Sequence, residues 1–285
     1  MQTLISRFTE RCVWIAKRVA DDTDEPAVPE GGGGFPDYVM IPLHCLRIYL
    51  DTSYRMTIDL LREMPRITRE IGLEPADLPH YSTLCLAFDR LEMKICRVLL
   101  RRSAQLHQTG DIAAIDATYF ERSPASRHYC RRTNYRVQTL EATKLVDTDT
   151  QVILDLFCTT TWEGSDAEVC KQLARRHAGE LRVLLADKGY DCNWLREDLR
   201  EIGLRPLIKH CIHAPYDHAH NARINDDLYG QRSMVETVFS SVKRSLGSAL
   251  RARVWYREFR EVALMCVVYN IKRAVKRGIP LPSGD

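Results

Sequence analysis

Four residues near the C-terminus carry the sharpest chemical pattern in the chain: Tyr229, Arg232, Glu236 and Lys243. On an α-helix turning about 100° per residue, all four project within roughly 40° of the Glu236 direction. A phenol, two cations and a carboxylate on one line suit a place where a metal ion and a phosphate meet. Glu236 would face the metal. Arg232 and Lys243 would grip non-bridging phosphate oxygens, and Tyr229 would donate a hydrogen bond to the same phosphate. A plain surface helix with an Arg232–Glu236 pair, contributing roughly 0.2–0.5 kcal/mol, leaves Tyr229 and Lys243 without a reason.

Two upstream aspartates could complete a metal site. Asp116 lies at the end of the apolar run Ile-Ala-Ala-Ile-Asp-Ala-Thr, and Asp187 closes Val-Leu-Leu-Ala-Asp-Lys-Gly-Tyr-Asp. The carboxyl end of a buried strand is where α/β sheets place ligands. Taken singly, each aspartate could equally cap the next element. Three carboxylates suit Mg²⁺ or Mn²⁺, hard ions that prefer oxygen ligands. Two such ions about 3.5–4 Å apart can activate a water or a 3′-hydroxyl and stabilise the leaving oxygen of an in-line displacement at phosphorus. Asp147, Asp149, Asp155, Asp166 and above all Asp191 are rival carboxylates.

The elements that must position these groups follow from periodicity. Residues 231–246 read as a helix whose apolar stripe, Val235, Val238, Val242 and Leu246, lies beside the charged one. Short strands are expected at Ile112–Thr118, Tyr135–Val146, Gln151–Thr160, Arg182–Ala186 and Arg205–Lys209, with Asp147-Thr148-Asp149 as a turn. Helices are expected over 166–178, 191–202 and 255–277. A hairpin meander followed by alternation predicts a mixed five-stranded sheet flanked by helices, an α/β fold. Before it, 1–20 reads as an amphipathic helix and 21–40 as a flexible linker rich in acids, proline and glycine. Residues 41–104 read as a helical DNA-binding or dimerisation region, with Ser82 capping a helix through Arg102. The catalytic region is expected over 110–278.

The 285 residues are 45% hydrophobic with a net charge of +3, so global charge neither demands nor excludes nucleic acid. The local pattern says more. Residues 127–136 hold four arginines, Arg131 and Arg132 among them, and no acid. Residues 243–260 add Lys243, Arg244, Arg251, Arg253, Arg257 and Arg260 against Glu258. Both stretches read as phosphate-facing patches on double-stranded DNA, with Arg131, Arg132, Arg251 and Arg253 as contacts. Ten cysteines without a Cys-x-x-Cys pair, no secretory signal and no membrane-length apolar run suggest a cytoplasmic protein with reduced thiols. The His210–His220 segment, with four histidines, Cys211 and Asp217, fits no standard zinc spacing, and Pro215 argues for a loop. Trp162, Trp194 and Trp255 could stack on a displaced base.

The pattern Tyr-x2-Arg-x3-Glu-x6-Lys resembles the signature of a large group of bacterial and archaeal insertion-sequence transposases. The blocks around Asp116 and Asp187 look like that family's first two catalytic blocks. The likeness covers about residues 45–275. It implies a ribonuclease H-like catalytic core with a DDE triad of Asp116, Asp187 and Glu236. It also implies Mg²⁺-dependent cleavage at transposon ends, joining of the freed 3′-hydroxyls to target DNA, and a homodimer that pairs the two ends. Only 49 positions separate Asp187 from Glu236, leaving no room for the large β-rich insertion of some relatives. Two rival functions stay open at this point: a structure-selective nuclease on the same fold, and a DNA-binding regulator derived from such an element.

Overall fold

In the computed structural model, which describes residues 2–30, 34–122, 132, 138–160 and 165–282, strand β1 (Ile112–Glu121) is the axis of a mixed sheet. It runs antiparallel to β2 (Thr139–Asp147), which pairs antiparallel with β3 (Ile153–Thr159). On its other side β1 runs parallel to β4 (Val183–Ala186), and β4 parallel to β5 (Arg205–Ile208). The order is β3-β2-β1-β4-β5, the arrangement of a ribonuclease H-like core. Connection length explains the change of direction. A tight turn joins β2 to β3, whereas a parallel neighbour needs a crossover, supplied here by helices.

The hairpin turn falls where the sequence placed it, because Asp147 closes it. Its carboxylate accepts from the backbone N–H of Thr150 at 2.7 Å and of Gly110 at 2.9 Å. Strand β4 is buried along its whole length, which is why it reads as an unbroken apolar run rather than an alternating one. The first crossover helix, Asp166–Arg176, is capped by Ser165, whose hydroxyl accepts from Ala167 N–H at 3.2 Å. Asp166 and Glu168 occupy its first turn and Arg175 and Arg176 its last, matching the helix dipole. Ser165→Ala should lower stability by about 1 kcal/mol, read as a shift in urea midpoint at unchanged slope. No shift would mean the cap contributes nothing.

The chain divides into two compact units. The sheet and its helices form one, over 108–244 and 248–251. The other takes 1–107, 245–247 and 252–285. The helical unit contains α1 (Leu4–Ala16), α2 (Asp37–Tyr49), α3 (Tyr54–Arg62), α4 (Pro65–Ile71), α5 (Tyr81–Ala87) and α6 (Met93–Ala104). In the sheet unit follow α7 (the capped crossover helix just described), α8 (Asn193–Glu201), α9 (Pro215–Ala222), α10 (Asp226–Gly230) and all but the last two residues of α11 (Met234–Leu246). The last helix, α12 (Trp255–Lys276), returns to the helical unit.

Helix α12 lies within the region expected as catalytic (110–278) and is contained in the helical unit. Val262–Ile271 is buried without interruption, so α12 has no solvent face in that stretch and must be surrounded. It packs against α2 and α6. Arg47 on α2 meets Glu261 at 3.0 Å, both nearly fully buried, and the Asn270 side-chain amide donates to Ser103 on α6 at 3.0 Å. The segment expected as a free linker is also tied down where it is described. Asp22 accepts from the Asp37 backbone, and the Tyr38 hydroxyl donates to the Glu25 carbonyl at 2.9 Å. The helix expected from Ser82 through Arg102 is two helices. Arg260 donates to the carbonyls of both Phe88 and Asp89 at 3.1 Å, ending α5 there, and Arg257 holds the Asp89 carboxylate at 2.6 Å.

Candidate active site

Side-chain alternation along β1 sends Asp116, Thr118 and Phe120 to one face of the sheet. Lys144 sits directly opposite Asp116 in the β1–β2 ladder. Helix α11 covers this face. Its Phe239 ring lies 4.9 Å from the Lys144 ammonium, and its Lys243 donates to the Thr118 hydroxyl at 2.7 Å. Val235, Val238, Val242 and Leu246 are all buried, as their stripe required. The 3-10 turn Gln231–Ser233, which leads into α11, packs against both β1 and β4.

Asp116 and Asp187 hold themselves in place through the backbone. Asp116 accepts from the next residue's N–H, Ala117, at 2.8 Å. Asp187 caps the 3-10 turn Lys188–Tyr190 by accepting from Gly189 N–H at 2.7 Å. A Cβ on Gly189 would come within 2.9 Å of that carboxylate oxygen, so the close approach excludes a side chain. Glu236 stands in the first turn of α11, exposed, with Arg232 at 3.4 Å.

Electrostatics joins these groups. Burial pushes the Asp116 carboxyl above the usual range. The Asp187 and Glu236 charges push the same way, while the Ala117 amide and Arg232 oppose them. Burial likewise raises the Tyr229 phenol, with Asp187 adding to it and Arg232 and Lys209 opposing. The candidate site thus couples Asp116 electrostatically to Asp187, Glu236 and Arg232, and Tyr229 to Asp187 and Arg232. It is not a closed metal cage: among the described residues, no three His, Cys, Asp or Glu side chains stand close enough to hold one ion.

The helical stripe is corrected in one respect. Tyr229 lies in α10, Arg232 in the 3-10 turn, and Glu236 and Lys243 in α11. The four residues therefore do not share one continuous α-helix. The Tyr229 ring lies under the Lys209 ammonium at 4.8 Å. Lys243, expected on the phosphate, donates to Thr118 here and lies 5.3 Å from the Phe120 ring. Burial, then neighbouring Lys144, lowers its pKa.

The remaining candidates scatter. Arg131 and most of the 127–136 stretch lie outside the described residues, as does Trp162, while Arg132 is exposed. Arg251 is exposed in the sheet unit and Arg253 exposed in the helical unit. Arg257 and Arg260 serve Asp89 and nearby carbonyls rather than a phosphate patch. Asp191, the strongest rival carboxylate, is held by Arg196 at 2.6 Å. The segment expected as a loop at Pro215 forms α9, with the proline in its first turn, where the missing N–H costs nothing. Asp217 binds it together, accepting from His213 N–H at 2.9 Å, Ala214 N–H at 2.8 Å and His210 Nδ1 at 2.9 Å. These contacts give the histidine cluster a structural reason.

Tyr190 is the residue that pattern reading passed over. It is buried, and its hydroxyl has no hydrogen-bond partner among the described residues. Burial first, then Cys170, Asp166, Asp116 and Asp187, raises its pKa. Its place in Asp-Lys-Gly-Tyr-Asp, one turn past Asp187, was the available signal. Tyr190→Phe removes an unsatisfied polar atom, so the melting temperature should hold or rise; a clear fall would reveal a partner for the hydroxyl.

A family model described as "Transposase DDE domain" matches residues 107–271. The chain is also similar to the piggyBac transposase in a synaptic complex with hairpin DNA. The two are 12% identical, the match covers 97% of this chain and 74% of that one, and the TM-score is 0.46. With the catalytic domain of Mos1 mariner transposase it shares 16% identity over 64% of this chain and 89% of that one, at a TM-score of 0.26. No curated protein matches the chain.

Proposed function

The chain belongs to the transposase DDE-domain family, and from that premise we propose that it cuts DNA at the ends of a mobile element and joins the freed 3′-hydroxyls to target DNA. Asp116, Asp187 and Glu236 are the proposed divalent-cation ligands, with Arg232 and Tyr229 on the phosphate. The observation that carries the reading is the charge around Asp116. Two further carboxylates, on β4's carboxyl end and on α11, both act on this half-buried acid. Burial is the larger cause and these charges add to it, so a cation near Asp116 would be favoured.

The donor set fits Mg²⁺ or Mn²⁺ in type: three hard oxygen ligands and no competing thiolate. In number and position it is incomplete, because Glu236 is engaged with Arg232. A phosphate oxygen competes for that guanidinium. Substrate binding would therefore free Glu236 to turn toward the aspartates. When bound, one or two such cations lower the pKa of the attacking hydroxyl or water and neutralise charge at phosphorus. Asp116 must be ionised to take part, and its raised pKa means that activity fails on the acid side earlier than an ordinary carboxylate would dictate.

The DNA that pairs with the protein is proposed to carry terminal inverted repeats, with two copies of the chain holding two ends. Incubation with such DNA and Mg²⁺ or Mn²⁺ should give both nicked ends and joined products. Nicking without joining would leave a nuclease and overturn the transposition reading. Metal-independent binding with neither product would leave a DNA-binding protein.

A further inference from the structure

Away from the acidic site, a groove of about 510 Å³ opens beside β5, the edge strand of the sheet. Arg200 reaches it from the last turn of α8, Arg205 from the first position of β5, and Arg223 from the C-cap of α9. Pro206, Leu207 and His220 line it with them, and no acid does. Among the described residues, none of the three guanidinium groups has an ion-pair or hydrogen-bond partner. Their neighbours differ: Arg182 is paired with Asp111, Arg196 with Asp191 and Lys209 with Asp226.

Each arginine has a local explanation. Arg200 and Arg223 sit at helix C-termini, where a cation is favoured, and a charge on an edge strand discourages aggregation. Neither reason requires three elements to bring their cations to one concave place. His220 adds no charge at neutral pH, since burial lowers its pKa and its ring stacks on His210 at 3.7 Å. The groove is therefore a site of three uncompensated guanidinium groups, each able to present a two-pronged donor to phosphate.

We propose that this groove binds the sugar-phosphate backbone of duplex DNA, as a contact separate from the acidic site. The inference rests on the reading of the protein as one that acts on DNA. An added β-strand from another protein is the poorer occupant, because Pro206 has no N–H to extend the ladder. A free anion is too small to engage arginines spread over α8, β5 and α9, whereas successive phosphates of one strand can meet them in turn.

The test uses the full chain without divalent metal, so that no cleavage intervenes. Its binding to a fluorescent duplex of arbitrary sequence is titrated from low to physiological salt. Removing three phosphate contacts should flatten the slope of log K against log salt by about 2–3, since each contact contributes about 0.9. Arg200→Gln/Arg205→Gln/Arg223→Gln should show that change, together with an affinity loss of about tenfold or more at low salt. Should the triple variant melt early, the three single variants decide, each flattening the slope by about 0.9. An unchanged slope overturns the proposal, even where affinity falls. Wild type binding with a steep slope that the variants share would remove the groove alone and leave the arginines as edge-strand guards. Wild type failing to bind duplex at all would remove the groove and the DNA-acting reading together.

Discussion

Asp187→Asn should reduce metal-supported DNA cleavage by at least ~10³-fold, about 4 kcal/mol of transition-state stabilisation, while DNA binding without metal stays within a few-fold of wild type. The substitution isolates charge from shape. Asn keeps an oxygen that can accept from Gly189 N–H, the 2.7 Å bond that closes the 3-10 turn after β4. The turn and the strand before it are therefore preserved, and the melting temperature should move little. What disappears is a hard anionic ligand and one of the two carboxylates that crowd Asp116. The Asp116 pKa should consequently fall toward the ordinary range, carrying the acid limb of any residual activity to lower pH. Asp116→Asn should behave alike, since its amide oxygen can still accept from Ala117 N–H. Glu236→Ala should lose chemistry too, and it also releases Arg232 from its 3.4 Å partner, so its DNA affinity should hold or rise slightly. Cleavage by Asp187→Asn within tenfold of wild type would show that Asp187 is no metal ligand.

The sheet and its aspartates were legible in the sequence for a physical reason. A strand covered on both faces reads as a run of apolar residues, and a carboxylate that breaks such a run at its end is conspicuous. β4 is the clear case, four buried residues followed by Asp187. What stayed hidden depends on tertiary contacts or on small backbone adjustments. The residues on either side of the 3-10 turn keep helical dihedrals, Gly230 at φ −59°, ψ −27° and Met234 at φ −61°, ψ −33°. No residue type marks the turn, so periodicity counts straight through it from Tyr229 to Lys243. The break between α5 and α6 is enforced by Arg260 from far along the chain. Trp255–Lys276 was placed in the catalytic region by its position in the chain, whereas a helix buried all round suits the core of either unit. Lys243 was read from its charge, its spacing from Glu236 and the four-residue signature, none of which reveals its contacts with Thr118 and the Phe120 ring.

The helical unit should lose stability steeply as pH falls below about 6.5, with His44 as a leading cause. This histidine on α2 is 1% exposed, and among the described residues neither ring nitrogen has a hydrogen-bond partner. Its ring lies against Phe88, centroid to centroid 5.1 Å, and edge-on to Tyr54 at 6.1 Å. Burial, reinforced by the positive charges of Arg47 and Arg90, lowers its pKa to about 3. The unfolded chain takes up a proton near pH 6.5, and the folded one does so only near 3. Between those values the unfolded state binds more protons, so falling pH favours unfolding. Stability from the neutral ring is complete above pH 6.5, and on the order of 3 kcal/mol of it is lost by pH 4. Asp89, whose carboxyl is held low chiefly by its hydrogen bond with Arg257, adds its own acid loss in the same unit, so wild type alone cannot isolate the histidine. His44→Phe can, because an aromatic ring of similar size keeps the Phe88 and Tyr54 contacts and cannot be protonated. Urea unfolding at pH 7 and pH 4 should show the wild-type free energy dropping more than that of the variant by roughly 3 kcal/mol. Parallel declines would mean that His44 takes up its proton without unfolding the helices around it, through a rearrangement that gives the charged ring a partner.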